Sequence, residues 1–458
     1  MEPPELVREN PIVAHFVERP NRFVIRCRID CIGEIDAYMP NPGRLGELLI
    51  PGATMLLEKT DHSGKRKLSY TACAVYSEKS IVGLNTHRTN QIAKYLLQKK
   101  LIPGLEEANL VDEEVSIGRS RFDFLLEENG IDVLLEVKSV SLSRNGVSMF
   151  PDAVTSRGTK HLRELAALGT SRLKHIILFV SQNFEDDFFM PDFHTDLAFS
   201  RTIVEVNNDV RIIPVAIKWN SSQILTDCVK TLHLPWEFIT SRLGDTGSYL
   251  LSLEIPRARR ITVGSLGTIM FKPGYYLYVG SGMGGLSARI NRHLRRRKNL
   301  LWHVDFLRDI SRKVKAYPVR TPCRLESALV SAISRVFESV VPGFGASDSK
   351  HVSHLFYSPT DPFLSRSLRS RRRSWWSCSR SPPRPHRPLW LVGGVVGDFG
   401  EYLFVDFLPL APNEGHQRPA LEPRRSLQAV HQLEGALGLA EDVCPEPVTG
   451  STHIAYQK

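Results

Sequence analysis

The stretch "DVLLEVKSVSL", residues 132–142, constrains this chain more than any other. Val133, Leu134, Leu135, Val137, Val140 and Leu142 give it the apolar density of a buried strand, yet Glu136 and Lys138 stand in its middle. Residues two apart in a strand project from one face. The strand therefore carries a carboxylate and an ammonium side by side, and burying ions costs several kcal/mol each unless something compensates them. The flanking sequence indicates what does. In "SRFDFLLEENG", Phe122, Phe124 and Leu126 share one face, Arg121, Asp123 and Leu125 the other, and "EENG" reads as a turn. The predicted hairpin brings Asp123 beside Glu136. Two carboxylates on adjacent strands suit one hard divalent cation, Mg²⁺ or Mn²⁺, with waters completing its shell. Lys138 beside them can orient or activate water, or stabilise charge on a phosphate, which completes a minimal set for metal-assisted phosphodiester hydrolysis.

The next segment, "MFPDAVTSRGTKHLREL" (149–165), predicts a crossover helix over 156–168 with Thr155 or Ser156 as its cap. Arg157, Lys160, His161 and Glu164 fall on one face, Leu162, Leu165 and Ala166 on the other. A helix N-terminus with such cations suits a phosphate, although the same residues also make an ordinary solvated face.

Residues 10–85 predict a small β-barrel of the oligonucleotide-binding (OB) type, built from the short runs "RFVIRCRI", "GEIDAYM", "ATMLLEKT", "KLSYTACAVYS" and "SIVGLNT". "NPGRLGELLIPG" between them reads as a turn and a short helical piece. A helix over 90–101 follows, then strands near 113–117, 121–127, 131–140, 174–180 and 210–218. Strand–helix–strand alternation there implies a partly parallel sheet. Arg44, Arg119 and Arg121 are candidate polyanion contacts, and Lys65, Arg66 and Lys67 form a basic hairpin tip.

Charge is unevenly placed. Residues 241–357 hold 19 Lys and Arg against 7 Asp and Glu, whereas 1–240 hold 28 against 32 and 358–458 hold 12 against 10. A local basic excess of that size indicates a polyanionic partner, most often nucleic acid. In that segment "GSYLLSL" (247–253) and "GYYLYVGSGMGGLSARINRHLRRRKNLLWHVDFL" (274–307) predict strands at 248–254 and 275–280 and helices near 284–297 and 323–338. Leu286, Ile290 and Leu294 form an apolar stripe. Arg289 and His293 sit beside it at i, i+4, and Arg292, Arg295, Arg296, Arg297 and Lys298 cover much of the remainder. Glu326 falls in register with Leu329, Val330 and Ile333, a carboxylate on an apolar face that needs a partner or a metal. From 358 the chain turns Arg/Ser/Pro-rich, a composition that predicts disorder. Seven cysteines without zinc-site spacing, no apolar run of membrane length and no signal-like start predict reduced thiols and a cytoplasmic protein.

The Asp–turn–Glu-x-Lys pattern resembles the PD-(D/E)XK nuclease fold. More specifically, "MPNPGRLGELLIPG", "GLNT", "GRSRFDFLL", "LEVKSVSL" and "FPDAVTSRGTKHLREL" resemble the sugar fermentation stimulation protein family over about residues 10–235. The resemblance implies an OB-like barrel at 1–88, a PD-(D/E)XK-like α/β domain at 89–238 and DNA binding, with the nuclease-like residues at Asp123, Glu136 and Lys138. The segment 245–357 resembles the GIY-YIG nuclease fold in its DUF123 branch, an α+β domain. That implies catalytic roles for Tyr249, Tyr278, Arg289 and His293 and a metal on Glu326. Here Ser349 and His351 stand where that branch typically has two cysteines, so a thiolate site is not expected.

The expected protein is therefore an OB-like barrel, two nuclease-like domains and a tail over 358–458. It would hydrolyse DNA phosphodiester bonds with Mg²⁺ or Mn²⁺, with phosphate contacts from Arg44, Arg119, Arg121, Arg157, Lys160, Arg292, Arg295 and Arg296. The rival expectation is a non-catalytic DNA-binding regulator with vestigial nuclease folds. A third, a C-terminal docking module, sits poorly with that segment's charge.

Overall fold

The computed structural model describes residues 2–7, 11–60, 68–77, 80–118, 120–170, 172–347 and 349–364. Arg119, the Lys65–Lys67 tip and the tail from 365 lie outside the described residues, so the contact expected of Arg119 and the disorder expected of the tail are not placed.

The N-terminal strands are β1 (Ile12–Asn21), β2 (Val24–Ile29), β3 (Gly33–Tyr38), β4 (Thr54–Lys59), β5 (Tyr70–Tyr76) and β6 (Ile81–Gly83). They run in the order β3-β2-β1-β4-β5-β6, and pairing of Tyr38 with Thr71 closes β3 onto β5 as a five-stranded barrel. Phe16, Ile25, Cys27, Met55, Leu57 and Val75 fill it. The expected count of five holds with one exchange of members. The run "IVAHFVERPN", not among the five expected, is barrel strand β1, whereas "SIVGLNT" contributes β6 outside the closure. "NPGRLGELLIPG" forms successive turns rather than a helical piece, with Leu45 at φ +48° and Leu48 and Leu49 amides both returning to its carbonyl.

Next come α1 (Arg88–Gln98), β7 (Asn109–Ile117), β8 (Ser120–Glu128), β9 (Ile131–Val140), β10 (Leu142–Arg144), β11 (Val147–Phe150), α2 (Ser156–Leu168), β12 (Leu173–Ser181), β13 (Phe188–Pro191), α3 (Leu197–Glu205), β14 (Arg211–Trp219), β15 (Leu225–Thr231) and α4 (Trp236–Ser241). The main sheet is ordered β15-β14-β12-β9-β8-β7. β9, β12 and β14 are parallel and the outer pairs antiparallel. Ile92 and Leu96 of α1 pack with Val133, Leu135 and Val137 on one face. Leu162 and Leu165 of α2 pack with Leu134 and Phe179 on the other. A parallel strand covered on both faces must be apolar on both, which explains the near-continuous run that includes Glu136. Phe122 departs from the expected alternation: it packs on the α2 side with Leu134, not with Phe124 and Leu126.

The third unit holds β16 (Gly247–Ile255), β17 (Arg259–Thr262), β18 (Thr268–Phe271), β19 (Gly274–Ser281), α5 (Leu286–Leu294), α6 (His303–Ile310), β20 (Lys313–Arg320), α7 (Glu326–Ser334) and β21 (Leu355–Ser358). Its antiparallel sheet is ordered β20-β16-β19-β21, with every residue of β16 buried. Only two of these strands and two of the helices were expected. β20 reads as polar because it is an edge strand, and α6 is only eight residues long. α5 stops at Leu294, where Arg295 turns extended, so the expected basic helix through 297 does not form. Arg320 joins this unit to the preceding one: its amide donates to Nδ1 of buried His194 at 2.8 Å and its guanidinium to the His194 carbonyl. Among the described residues no helix is long and apolar enough to cross a membrane, and the cysteines are free.

Candidate active sites

The β8–β9 ladder runs from Glu128↔Ile131 to Phe124↔Leu135. At the next step Asp123 uses its side chain instead of its backbone: Oδ2 accepts the Val137 amide at 2.7 Å, and Oδ1 accepts Asn90 Nδ2 of α1 at 2.7 Å. Glu136 is 5 % exposed. Its Oε1 accepts Lys138 Nζ and lies 3.3 Å from His161 Nδ1, whereas Oε2 is buried with no protein donor. Burial, then the neighbouring Glu136 charge, push the Asp123 carboxyl above its ordinary value, and the Val137 amide and Lys138 offset part of that. The predicted triplet of Asp123, Glu136 and Lys138 is thus brought together.

An orphaned buried carboxylate oxygen costs about 1–3 kcal/mol or more, and two carboxylates repel. A hard divalent cation answers both, and an all-oxygen pair is the donor chemistry such an ion takes. Among the described residues no group of three or more His, Cys, Asp or Glu is placed to hold a metal, so most of the coordination shell would fall to other oxygens.

Asn90 and His161 complete this site, and Asn90 was not foreseen. Thr155 caps α2, its Oγ1 accepting the Gly158 amide at 3.0 Å, and that start aims His161 at β9. Arg157 Nε donates to His161 Nε2 at 3.4 Å, leaving Nδ1–H for Glu136. Arg157 and Lys160 are exposed, with Lys160 3.3 Å from Glu164. Arg44 is exposed, and Arg121 is exposed and spans 3.3 Å to Glu114. Lys138, Ser139 and Asn90 open onto a cleft of about 330 Å³, walled by Asn41–Gly43 of the barrel and by Pro151–Thr155.

In the third unit Tyr249 and Tyr278 stand on neighbouring strands, ring centres 6.3 Å apart. Tyr249 is fully buried, with its hydroxyl 2.9 Å from His293 Nε2. The glycine of "YVG" has a steric reason: a Cβ at Gly280 would lie 2.4 Å from that hydroxyl. Burial pushes Tyr249 up to about 12 against the opposing pull of the Arg289 guanidinium, and burial also pushes Tyr278 up. Glu326 accepts Ser281 Oγ and lies 3.3 Å from His354 Nδ1. Burial alone would raise its carboxyl, but His354, Ser281 and the Arg324 charge hold it below its usual range. Arg289 stacks on Trp302, guanidinium carbon 4.6 Å from the ring centre.

Asp305 was missed in the sequence and organises this site. Fully buried, it accepts Arg292 at 2.9 and 3.2 Å, lies 2.8 Å from Lys298 Nζ, and takes His293 Nδ1 at 3.3 Å and the Leu301 and Trp302 amides at 3.1 Å each. Burial would raise its carboxyl, yet these donors hold it far below the carboxylate range. The signal was available: an acid two residues after His303 inside "WHVDFL", downstream of five basic residues. One expected phosphate contact, Arg292, is drawn into this network. Arg292 is committed to Asp305 and to the Asn299 carbonyl, and Arg296 donates to the Ser311 carbonyl at 2.8 Å. Arg295 stays exposed. His351 Nε2 is engaged with Ser327 Oγ at 2.7 Å and Ser349 Oγ with His354 at 3.0 Å.

The fold defines a multidomain protein that couples an OB barrel to an α/β unit built on a mixed sheet. Family comparison agrees: the SfsA N-terminal OB domain matches residues 17–84, the sugar fermentation stimulation protein RE domain residues 87–223, and a domain of unknown function, DUF123, residues 248–375. A sugar fermentation stimulation protein homolog of Shouchella clausii is 40 % identical over 196 residues, 42 % of this chain and 84 % of that one. The homolog of Methanothermobacter thermautotrophicus is 30 % identical over 233 residues, 50 % of this chain and 96 % of that one. The chain belongs to the sugar fermentation stimulation protein family. Among solved structures, Pyrococcus furiosus SfsA in complex with Ca²⁺ aligns with TM-score 0.46 and 24 % identity over 51 % of this chain and 99 % of that one. A repair endonuclease from Pyrococcus abyssi aligns with TM-score 0.16 and 11 % identity, over 38 % and 80 %.

Proposed function

We propose that this chain is a DNA-binding protein that hydrolyses phosphodiester bonds with Mg²⁺ or Mn²⁺. Its working parts would be an OB-like barrel (1–88), a PD-(D/E)XK-like domain (89–238) and a GIY-YIG-like domain (245–357). The observation that carries the reading is the buried, donorless Oε2 of Glu136 beside Asp123 and Lys138. A divalent cation held by Asp123 and Glu136 would supply positive charge at the scissile phosphate. Lys138, steadied by Glu136, would orient the attacking water or stabilise the phosphate. His161, steadied by Arg157, would hold Glu136 in place. Arg44, Arg121, Arg157 and Lys160, all exposed, would bind the DNA backbone. In the third unit Tyr249, Tyr278, Arg289 and His293 would serve a second hydrolytic site, with Glu326 as its metal carboxylate.

A second reading, a non-catalytic DNA-binding regulator, has its own support: both Asp123 oxygens already accept protein hydrogen bonds, as a purely structural carboxylate would. A cleavage assay separates the two. Labelled single-stranded, duplex and branched DNA would be incubated with Mg²⁺, Mn²⁺ or EDTA and wild type, Glu136→Ala, Glu326→Ala or the double variant. Metal-dependent cutting lost in one single variant assigns the enzyme to that domain, and loss only in the double variant assigns it to both. Salt-sensitive binding without cutting selects the regulator.

A further inference from the structure

Packing does not account for one surface segment. Leu300, Leu301 and Trp302, between α5 and α6, are 40 %, 70 % and 36 % exposed. Single exposed apolar residues need no explanation, but three large ones in succession do. The connection is also firmly held. The Leu301 and Trp302 amides both donate to buried Asp305, and Lys298 Nζ donates to the Arg292 and His293 carbonyls at 3.1 and 3.0 Å. The backbone is therefore fixed from beneath while Leu301 is held outward.

The surroundings select the partner. From Leu286 to Leu301 there are six cations and no Asp or Glu, and Arg295 and Arg297 are exposed. Trp302 carries the Arg289 and Arg292 guanidiniums at 4.6 and 4.1 Å, and its ring centre is 5.1 Å from that of His293. The apolar projection thus starts at the rim of the Tyr249–His293–Arg289 cluster and is bordered by positive charge. A polyanion that also offers flat apolar faces satisfies both features, which describes nucleic acid with unpaired bases.

We infer that Leu300–Trp302 is a wedge for unpaired bases, directing this unit to places where a duplex is frayed, branched or interrupted. The inference rests on the reading of 245–357 as acting on nucleic acid. Leu301 props against the last base pair with Leu300 beside it, Trp302, held by the Arg289 and Arg292 guanidiniums, anchors the wedge, and Arg295 and Arg297 hold the flanking phosphates.

The test is binding without cleavage. Fluorescence anisotropy in EDTA would compare a labelled, fully paired duplex with the same duplex carrying a central bubble. The proteins would be wild type, Leu300→Ala/Leu301→Ala, Leu301→Asp and Arg295→Ala/Arg297→Ala, each checked for folding by circular dichroism. The double-alanine variant is expected to weaken bubble binding ~10-fold, the size of one lost base contact, and to leave the paired duplex unchanged, while Leu301→Asp, which also adds a negative charge, should weaken the bubble more than the duplex. The arginine variant should weaken both. Equal weakening of both substrates by the leucine variants, or no change, overturns the wedge while leaving DNA binding intact. Wild type that binds neither substrate removes the nucleic-acid reading and the wedge with it. Phosphatidylserine vesicles bound by wild type and released by the leucine variants, with bubble binding intact, would assign the segment to a membrane surface and overturn the wedge. Absence of cleavage elsewhere leaves it standing.

Discussion

The hydroxyl of Tyr249 lies 2.9 Å from Nε2 of His293, and both side chains are buried. Asp305 on the far side accepts Nδ1–H, so Nε2 is the bare nitrogen and Tyr249 is the donor. With the hydroxyl pushed up to about 12 by burial, it stays protonated through the neutral range. Tyr249→Phe leaves Nε2 unpaired in the interior and is expected to cost about 1–3 kcal/mol. Urea unfolding measures it, and an unchanged midpoint would show the pair to be dispensable.

Gly280→Ala should be costlier than an ordinary Gly→Ala change in a strand, because the new methyl would meet the Tyr249 hydroxyl at 2.4 Å and ring carbon Cζ at 2.6 Å. Overpacking of this kind costs about 1–3 kcal/mol. Tyr249→Phe removes the nearer of the two clashes, so the double variant should be more stable than the sum of the singles. Strict additivity in a double-mutant cycle would contradict the contact.

Glu136→Gln keeps the shape and removes one of two facing charges. Asp123 loses a cause of its raised carboxyl value, but Lys138 and His161 lose the carboxylate they face, so the variant should be less stable than wild type by about 1–3 kcal/mol. Mg²⁺ should raise the wild-type melting temperature, since at about 100 times its Kd a ligand adds about 2.7 kcal/mol. The variant should not respond. Equal stabilisation of both proteins by Mg²⁺ would place the ion elsewhere.

His175 is buried with neither ring nitrogen paired, and burial, then the Lys174 charge, depress its pKa. The unfolded chain takes up this proton below about pH 6.5 while the native state does not. Stability from the neutral ring is therefore complete above that pH and is lost as pH falls toward the depressed native value. His175→Leu should flatten the acid limb of stability measured by urea unfolding at about pH 7.5 and about pH 5.5. His293 and His303, also depressed chiefly by burial, keep part of the slope. Asp123 and Asp186, raised by burial, act with the opposite sign, being stabilising below their unfolded values and losing that as pH rises. An unchanged limb in the variant would show that His175 takes up its proton alike in both states.

Arg157→Ala and Lys160→Ala remove exposed cations at the α2 start. Each should weaken DNA binding alike across sequences and lower the slope of log affinity against log salt by about one. Sequence-selective loss would instead make them base contacts.

Local rules determined much of this protein. The α2 bounds and its Thr155 cap, the Asp123–Glu136 juxtaposition across "EENG", the apolar run of β9 and the basic excess after 240 follow from period, turn chemistry and charge within a few residues. The motif order over residues 10–235 was likewise enough to place the chain in its family. What the tertiary structure decided are pairings between distant residues. Asn90 reaches Asp123 over 33 positions and His161 reaches Glu136 over 25. Asp305 converts Arg292 and Lys298 from apparent surface cations into a buried network. The end of α5 at Leu294 belongs with these, because a chain drawn back to buried Asp305 cannot continue as helix through the arginines. Sequence period reports which face of an element is apolar. It does not report which polar group waits on the element packed against it, and in both candidate sites that partner sets the charge, the tautomer and the reach of the side chains foreseen.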